Sequence, residues 1–344
     1  MCCAATSTTE SALPPSGSGI NIQPTFWKTE KHRYEPSFWL IARVAVLYSF
    51  FQIVEKLGVF VWPKILEYTV THGFDVRSIA LPTLATMGIG VFFLYSFGFY
   101  GFIYVFLDKT PFFQRYRVHK GDWPWKVDPK RWNALLWTTT IQVVFNFALY
   151  IPQMLMIKFV LGTPCPWRVD VETLPSAGEM FWQTVFFLFM EDLIVYHTHK
   201  VMHSKRFYWM HKRHHSFKHC FGVCTAYSHP FDDLVESAGP AIVGPLILWD
   251  RMHVWTLFVW LVVGINCTTE THSGYELPWS MYQLIPFMCT TDFHEFHHRF
   301  PTKGNYSSTL MFWDEVHGTN KEYYAWVQAG RPFPSDKEEK TKDE

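Results

Sequence analysis

Two long stretches of the chain carry no charge at all. Residues 79–107 run from Ile79 to Leu107 without Asp, Glu, Lys or Arg, and so do residues 132–157, from Trp132 to Ile157. About 20 apolar residues at a rise of 1.5 Å span a hydrocarbon core. Both stretches therefore predict transmembrane helices. Two more segments have the length but not the purity. Residues 37–62 are interrupted by Arg43, Glu55 and Lys56, and residues 180–198 meet Glu191 and Asp192. Counting all four, the Lys/Arg distribution sets the orientation. The loop from Asp108 to Arg131 holds Lys109, Arg115, Arg117, Lys120, Lys126, Lys130 and Arg131. The loop 162–179 holds only Arg168, and the loop 63–78 only Lys64 and Arg77. The termini and everything beyond residue 198 then lie on the cytosolic side. A fifth apolar stretch, 234–269, is broken by Asp250 and Arg251 and reads as a shallow or partly inserted hairpin of two helices.

The expected organisation is a disordered cytosolic tail over 1–34, a transmembrane region over 35–180, a histidine-bearing domain with the hairpin over 181–330, and a charged tail over 331–344. That last tail contains Lys340-Thr-Lys342-Asp-Glu, which has the spacing of an endoplasmic-reticulum retrieval signal. The fold class is all-α and integral to the membrane, with about four transmembrane helices under a cytosolic helical cap.

Composition narrows the function. Of the 344 residues 49% are hydrophobic and 17% charged, with 30 basic and 30 acidic side chains that cancel. A neutral chain lacks the basic footprint that phosphate-backbone binding needs, which excludes nucleic acid as the main partner. Seven cysteines without a CxxC pair exclude a disulfide framework or thiolate zinc site. Histidine is the outlier: there are 17, and they cluster after residue 198.

The clusters are His199-x3-His203, His211-x2-His214-His215, His229-Pro230, His272, and His294-x2-His297-His298. Residues three and four apart share a helix face, so each cluster can turn two or three imidazoles to one side. Imidazole suits Zn, Cu, Fe and Ni, and nine or ten are too many for one four-coordinate zinc. They suit two metal ions with open positions. The candidate ligands are His199, His203, His211, His214, His215, His272, His294, His297 and His298, with His229 a tenth ligand or a residue behind the ligands. His32, His72, His119, His253 and His317 have no partner at ligand spacing and read as ordinary histidines, as do His197 and His219. Glu191, Asp192, Glu270, Asp292, Glu295 and Asp314 are close enough in sequence to orient the second imidazole nitrogens. One rival pattern is present: His294-Glu295-Phe296-His297-His298 also satisfies HExxH, the signature of a zinc protease with Glu as general base. It would leave His199, His203, His211, His214, His215 and His297 unused.

The boxes and their setting resemble the fatty acid hydroxylase/sterol desaturase superfamily, and within it the 4-methylsterol monooxygenases most closely. The residues that carry the resemblance are Glu191-Asp192, His199–His203 and His211-Lys-Arg-His-His215, then Phe221-Gly222, Tyr227-Ser-His-Pro230 and His272-Ser-Gly-Tyr275. They continue through His294-Glu-Phe-His-His298, Gly304-Asn-Tyr306, Trp313-Asp314 and Gly318-Thr319. The chain departs from the family pattern at Ala226, where many members are acidic, at Phe293, where many have a further histidine, and at Lys200, usually Arg. The resemblance implies a diiron centre that uses O2 to hydroxylate a sterol, above all the methyl on carbon 4, in the endoplasmic-reticulum membrane. Cholesterol-25-hydroxylase-like enzymes, sterol desaturases and fatty acid or lipid hydroxylases are the neighbouring alternatives, and a relative that binds lipid without turnover is a third class. The chain has no GxGxxG fingerprint and no haem-attachment motif, so electrons from NAD(P)H must arrive through a separate donor. The family implies cytochrome b5 and its reductase. A basic patch of Lys200, Lys205, Arg206, Lys212, Arg213 and Lys218 beside the first two boxes suits an acidic redox partner. Trp182, Phe186, Phe187 and Phe189 could line a slot for a rigid ring system entering from the leaflet.

Overall fold

The computed structural model describes residues 37–330 apart from 120, 121, 163, 164, 278 and 286. The two tails, 1–34 and 331–344 with the Lys340/Lys342 motif, lie outside the described residues. Among the described residues there is no strand, only three isolated bridges. The helices that position the site are α1 (Ser37–Thr71), α2 (Val76–Phe93), α3 (Pro129–Leu161), α4 (Ala177–Met202), α5 (Gly239–Leu248), α6 (Val254–Thr271) and α7 (Thr291–Arg299).

Each boundary has a local cause. Asp75 caps α2 by accepting from the Arg77 and Ser78 amides, and Ser176 caps α4 by accepting from Glu179. Asp128 caps α3 ahead of a proline in its first turn, and Gly162 ends it at φ 67°. Beyond Phe93, α2 continues to Leu107 through two π-helical turns, Leu94–Phe99 and Ile103–Leu107.

Among the described residues three helical segments are long and apolar enough to cross a membrane: Leu40–Thr71, Thr86–Leu107 and Val254–Thr271. The first two carry lipid-type surfaces, with Ile53, Val59, Phe60, Val105 and Phe106 all more than 60% exposed. The charge-free run 132–157 lies inside the 33-residue α3. Residues 180–198 lie in α4, which is not one of the three. There Asp192 is wholly buried and accepts from the Thr309 and Leu310 amides, so this helix faces protein along that side.

The apolar stretch 234–269 forms two helices joined by a turn. Pro230–Leu248 runs as one helical stretch, the chain turns at 249–253, and α6 returns. The turn is fastened to the loop between α3 and α4: the Arg168 amide donates to the Met252 carbonyl, and the Val254 amide to the Arg168 carbonyl. That loop in turn receives Trp62 from the end of α1, whose Nε1 donates to Val169, and Arg77 from the start of α2, which donates to Cys165 and Trp167. The turn of the hairpin therefore lies at the end of α4 opposite the histidines. Two glycines permit this packing. A Cβ on Gly244 would lie 2.7 Å from the Phe187 ring of α4, and one on Gly58 would lie 2.7 Å from Trp255 of α6. Trp260 of α6 ties the hairpin together by donating to Ala241.

Candidate metal centre

All the clustered histidines sit at one end of this bundle. His199 lies in the last turn of α4, with His203 as its C-cap, and His272 is the C-cap of α6. His211, His214 and His215 follow on short turns after α4. α7 carries His294, His297 and His298, all at most 3% exposed. The imidazoles sort into two sets, one of His199, His203, His211, His215 and His297, the other of His214, His272, His294 and His298. The i, i+4 pairs His199/His203, His211/His215 and His294/His298 each share a set, as helical spacing implies, whereas His214 and His297 leave their clusters for the other set. Adjacent His214 and His215 thus serve different sets, as do adjacent His297 and His298, because neighbouring helical residues point to different faces.

In the first set the Nε2 atoms of His199 and His211 are 3.0 Å apart, those of His211 and His215 2.9 Å, and those of His297 and His203 3.1 Å. In the second, Nε2 of His272 lies 2.8 Å from that of His294, 3.2 Å from that of His214 and 3.3 Å from that of His298. The other ring nitrogen decides what these contacts are. Nδ1 of His199 donates to the Tyr306 carbonyl, that of His297 to Gly304, that of His298 to Phe217 and that of His272 to Thr268. In a neutral ring whose Nδ1 carries the proton, Nε2 offers only a lone pair. Lone pairs brought together in a dry site repel unless a cation lies among them. Their spacing suits one: a bond of about 2.1 Å to imidazole places neighbouring ligands about 3.0 Å apart at right angles and about 3.4 Å apart in a tetrahedron. Burial, and then the neighbouring imidazoles, hold His211, His214, His215, His294 and His298 well below the usual histidine range, and His272 down to about 4. These rings are neutral at pH 7, the form that ligates.

Several expected residues take other roles. His229 joins neither set: its Nδ1 accepts from the Phe231 amide, so it caps the short helix Pro230–Asp233. Of the six carboxylates expected to orient imidazoles, Asp192, Asp292, Glu295 and Asp314 are engaged elsewhere in the contacts the structure shows. Asp192 lies seven residues, about 10 Å along the helix, from His199, and holds the 309–310 backbone. Asp292 accepts from Thr290 and Tyr323. Asp314 accepts from the Tyr306 and Ser307 amides and from Thr319. Glu270 leaves one oxygen, Oε2, buried without a partner, and Glu191 lies half-buried on α4. Backbone carbonyls take over the orienting task, with one carboxylate that the sequence reading passed over: Asp232, 2.8 Å from Nδ1 of His211. Its signal was available in the His-Pro-x-Asp run, which puts Asp232 on the first turn of a capped helix.

Asp314 acts one step removed. The loop it ties down supplies both the Gly304 and Tyr306 carbonyls, and Gly304 is forced to φ 105°, where a Cβ would collide with the Thr319 carbonyl at 1.8 Å. Asp314→Ala should therefore loosen His199 and His297 together and weaken metal binding at the five-histidine set by about 10- to 100-fold, leaving the other set unchanged. A competition titration reads this directly, and equal affinity in variant and wild type refutes it.

Glu295 faces away from the metal sets. Its Oε1 is 3.2 Å from Nδ1 of His219, whose Nε2 meets Arg299 at 2.9 Å, and the His219 ring stacks on His119 at 3.4 Å between centroids. His119 and His219, read from sequence as ordinary, thus form a third group with Glu295. Both nitrogens of His219 are already engaged. A zincin glutamate must reach the metal-bound water, and the position next to His294 on the helix carries Glu295 to the opposite side.

A cavity of about 160 Å³ opens onto both histidine sets, with Phe92, Val143, Val195 and Ile265 among its apolar walls and Ala226 and Glu236 among the rest. Phe293, the other departure from the family pattern, is fully buried against Tyr323, away from this space. Of the aromatic stripe, Trp182 is 69% exposed and Phe187 packs on Trp260, and none of the four lines the cavity.

An all-helical membrane protein whose histidines converge in two buried sets belongs to the polyhistidine class of membrane oxidoreductases. The chain is a member of the fatty acid hydroxylase family, whose sequence model, described as Fatty acid hydroxylase, matches residues 184–319. It is 32% identical over 266 residues to methylsterol monooxygenase 2-2 of Arabidopsis thaliana, covering 75% of this chain and 91% of that one. A C-4 methylsterol oxidase of Schizosaccharomyces pombe is 30% identical over 64% of this chain and 72% of its own length. A very-long-chain aldehyde decarbonylase of Oryza sativa subsp. indica is 31% identical over 75% of this chain and 90% of its own. No solved structure matches.

Proposed function

We propose that this protein is an O2-dependent, dinuclear iron oxygenase that hydroxylates a sterol, oxidising a methyl group on carbon 4. The observation that carries the reading is the sorting of nine imidazoles into sets of five and four around one cavity. Iron held there would supply the oxidising power for an unactivated C–H bond, which no side chain possesses. His199, His203, His211, His215 and His297 would hold one ion and His214, His272, His294 and His298 the other. The chain's own contribution is to fix these rings through the Tyr306, Gly304, Phe217 and Thr268 carbonyls and to keep bulk water from the cavity with apolar walls. Sterol as substrate is supported by the names of the plant and yeast relatives. The rice relatives favour a second reading, in which the substrate is a long-chain aldehyde.

Electrons reach the site from NAD(P)H through a separate donor, with cytochrome b5 and its reductase as the proposed carriers and the cytosolic face of the endoplasmic reticulum as the place. Lys200, Lys205, Arg206, Lys212 and Lys218 are exposed near the first two boxes, which supports docking of an acidic partner. Arg213 is turned inward onto Gln142 and leaves that patch.

The deciding experiment is a sterol and lipid profile of a host lacking its own 4-methylsterol oxidase, with and without this chain, and with His294→Ala as the blank. Loss of 4-methyl sterols with the wild-type chain alone is the expected result. Persistence of those sterols while another lipid gains oxygen or an aldehyde disappears overturns the substrate assignment.

A further inference from the structure

Among the polar groups that line the cavity, one carboxylate holds a buried oxygen without a partner. Between Pro230–Asp233 and α5 the helix widens into a π turn, Leu234–Ala238, closed by the Gly239 amide on the Leu234 carbonyl. π turns of this kind redirect a side chain that a regular helix would place elsewhere. This one puts Glu236 in the cavity wall, together with His199, His211, His214, His272 and His294. Its Oε1 is buried and has no hydrogen-bond partner. A buried carboxyl oxygen without a donor costs free energy, so its retention calls for a ligand that supplies one. The apolar side chains of Phe92, Val143, Val195 and Ile265 share the lining. The space therefore offers carbon surface, a bare carboxyl oxygen and rings of both histidine sets.

We propose that Glu236 binds the hydroxyl of a lipid alcohol, holding the carbon beside that hydroxyl against the histidine sets. The inference rests on the oxygenase reading and sharpens it: the substrate is an apolar lipid whose reacting carbon lies close to a hydroxyl group. Such an anchor makes regioselectivity a matter of distance from the hydroxyl. It also explains how a mostly apolar space can fix the orientation of a ligand with few other polar groups.

The test is equilibrium binding to the metal-loaded full chain in detergent. The probes are a tritiated 4,4-dimethyl sterol alcohol, its 3-deoxy analogue, and a long-chain alcohol paired with its alkane. The proteins are wild type, Glu236→Leu and Glu236→Gln, each checked for metal content. Wild type should prefer the sterol alcohol to the deoxy analogue by about tenfold, as a hydrogen bond to a carboxyl group implies. Glu236→Leu should erase that preference while binding the deoxy analogue as well as wild type does. Glu236→Gln, which keeps an acceptor oxygen in the same shape, should retain part of it and serves where the Leu variant loses metal. If the preference appears only for the long-chain alcohol and disappears in Glu236→Leu, the hydroxyl anchor stands and the sterol assignment falls. If wild type binds sterol without discriminating the hydroxyl, the anchor falls and the sterol assignment stands. No preference for either alcohol, or a preference that survives Glu236→Leu, overturns the inference.

Discussion

His272→Ala is expected to reduce the metal content from about two ions per chain to about one and to abolish turnover, by at least about 10³-fold, because the chemistry resides in the metal pair and not in the protein. The four-histidine set is built around this ring. Its Nε2 is within 3.3 Å of those of His214, His294 and His298, while its Nδ1 is fixed to the Thr268 carbonyl at 2.7 Å. Truncation leaves three imidazoles whose lone pairs no longer close around one point. The five-histidine set shares no ring with it and should keep its ion. Elemental analysis of the purified variant, together with turnover supported by an electron donor, reads both halves of this expectation. Glu295→Gln is the control that separates an oxygenase from a zinc protease. Its carboxylate points to His219 and Arg299, so both ions and most of the activity should remain. A His272→Ala protein that keeps two ions, or a Glu295→Gln protein that keeps both and is dead, contradicts the assignment.

What the chain reveals before folding, and what it conceals, divides along a physical line. Charge-free runs and the i, i+4 spacing of His199/His203 and His294/His298 are local properties, and the helices and the convergence of those pairs follow from them. The partition into sets is not local. His214 and His215 part company because His214 meets His272 from the end of α6, while His215 meets His297 of α7 and lies with His199 and His203 of α4. The depth of the hairpin depends on a backbone pairing between Arg168 and residues 252–254 that no pattern within 234–269 contains. The orienting groups were misread for a similar reason. Nearby carboxylates look like natural partners for imidazole, yet Asp192 Oδ1 and both Asp314 oxygens accept from backbone amides at 306–310. The carbonyls freed by that loop then do the orienting. Carbonyls have no sequence signature, so this task is invisible until the loop is seen. His229 was drawn toward the metal by its company in sequence, but a proline at the next position makes it a helix cap.

Removing the metal should destabilise the protein more than any single substitution outside the site. The Nδ1 anchors on His199, His272, His297 and His298 prevent those rings from flipping to hydrogen-bond one another, so without cations their lone pairs face each other at about 3 Å. Two ions, each present at about 1,000 times its dissociation constant, contribute roughly 8 kcal/mol between them. At about 2–4 °C per kcal/mol for a chain of this class, chelation should lower the thermal midpoint by more than about 10 °C. The pH dependence has a definite sign. Burial depresses these histidines in the folded chain, His272 to about 4, whereas the unfolded chain titrates near the ordinary histidine value of about 6.5. Between those values the unfolded state binds more protons than the folded one, so stability falls as pH falls. The loss begins as pH drops through about 6.5 and, for His272, continues to about 4; above 6.5 these rings contribute no slope. Thermal melts of metal-loaded and chelated protein from pH 8 to pH 5 test both statements. Midpoints that coincide with and without chelator, or that stay level below pH 6.5, would mean that the nine imidazoles do not form a cation-stabilised centre.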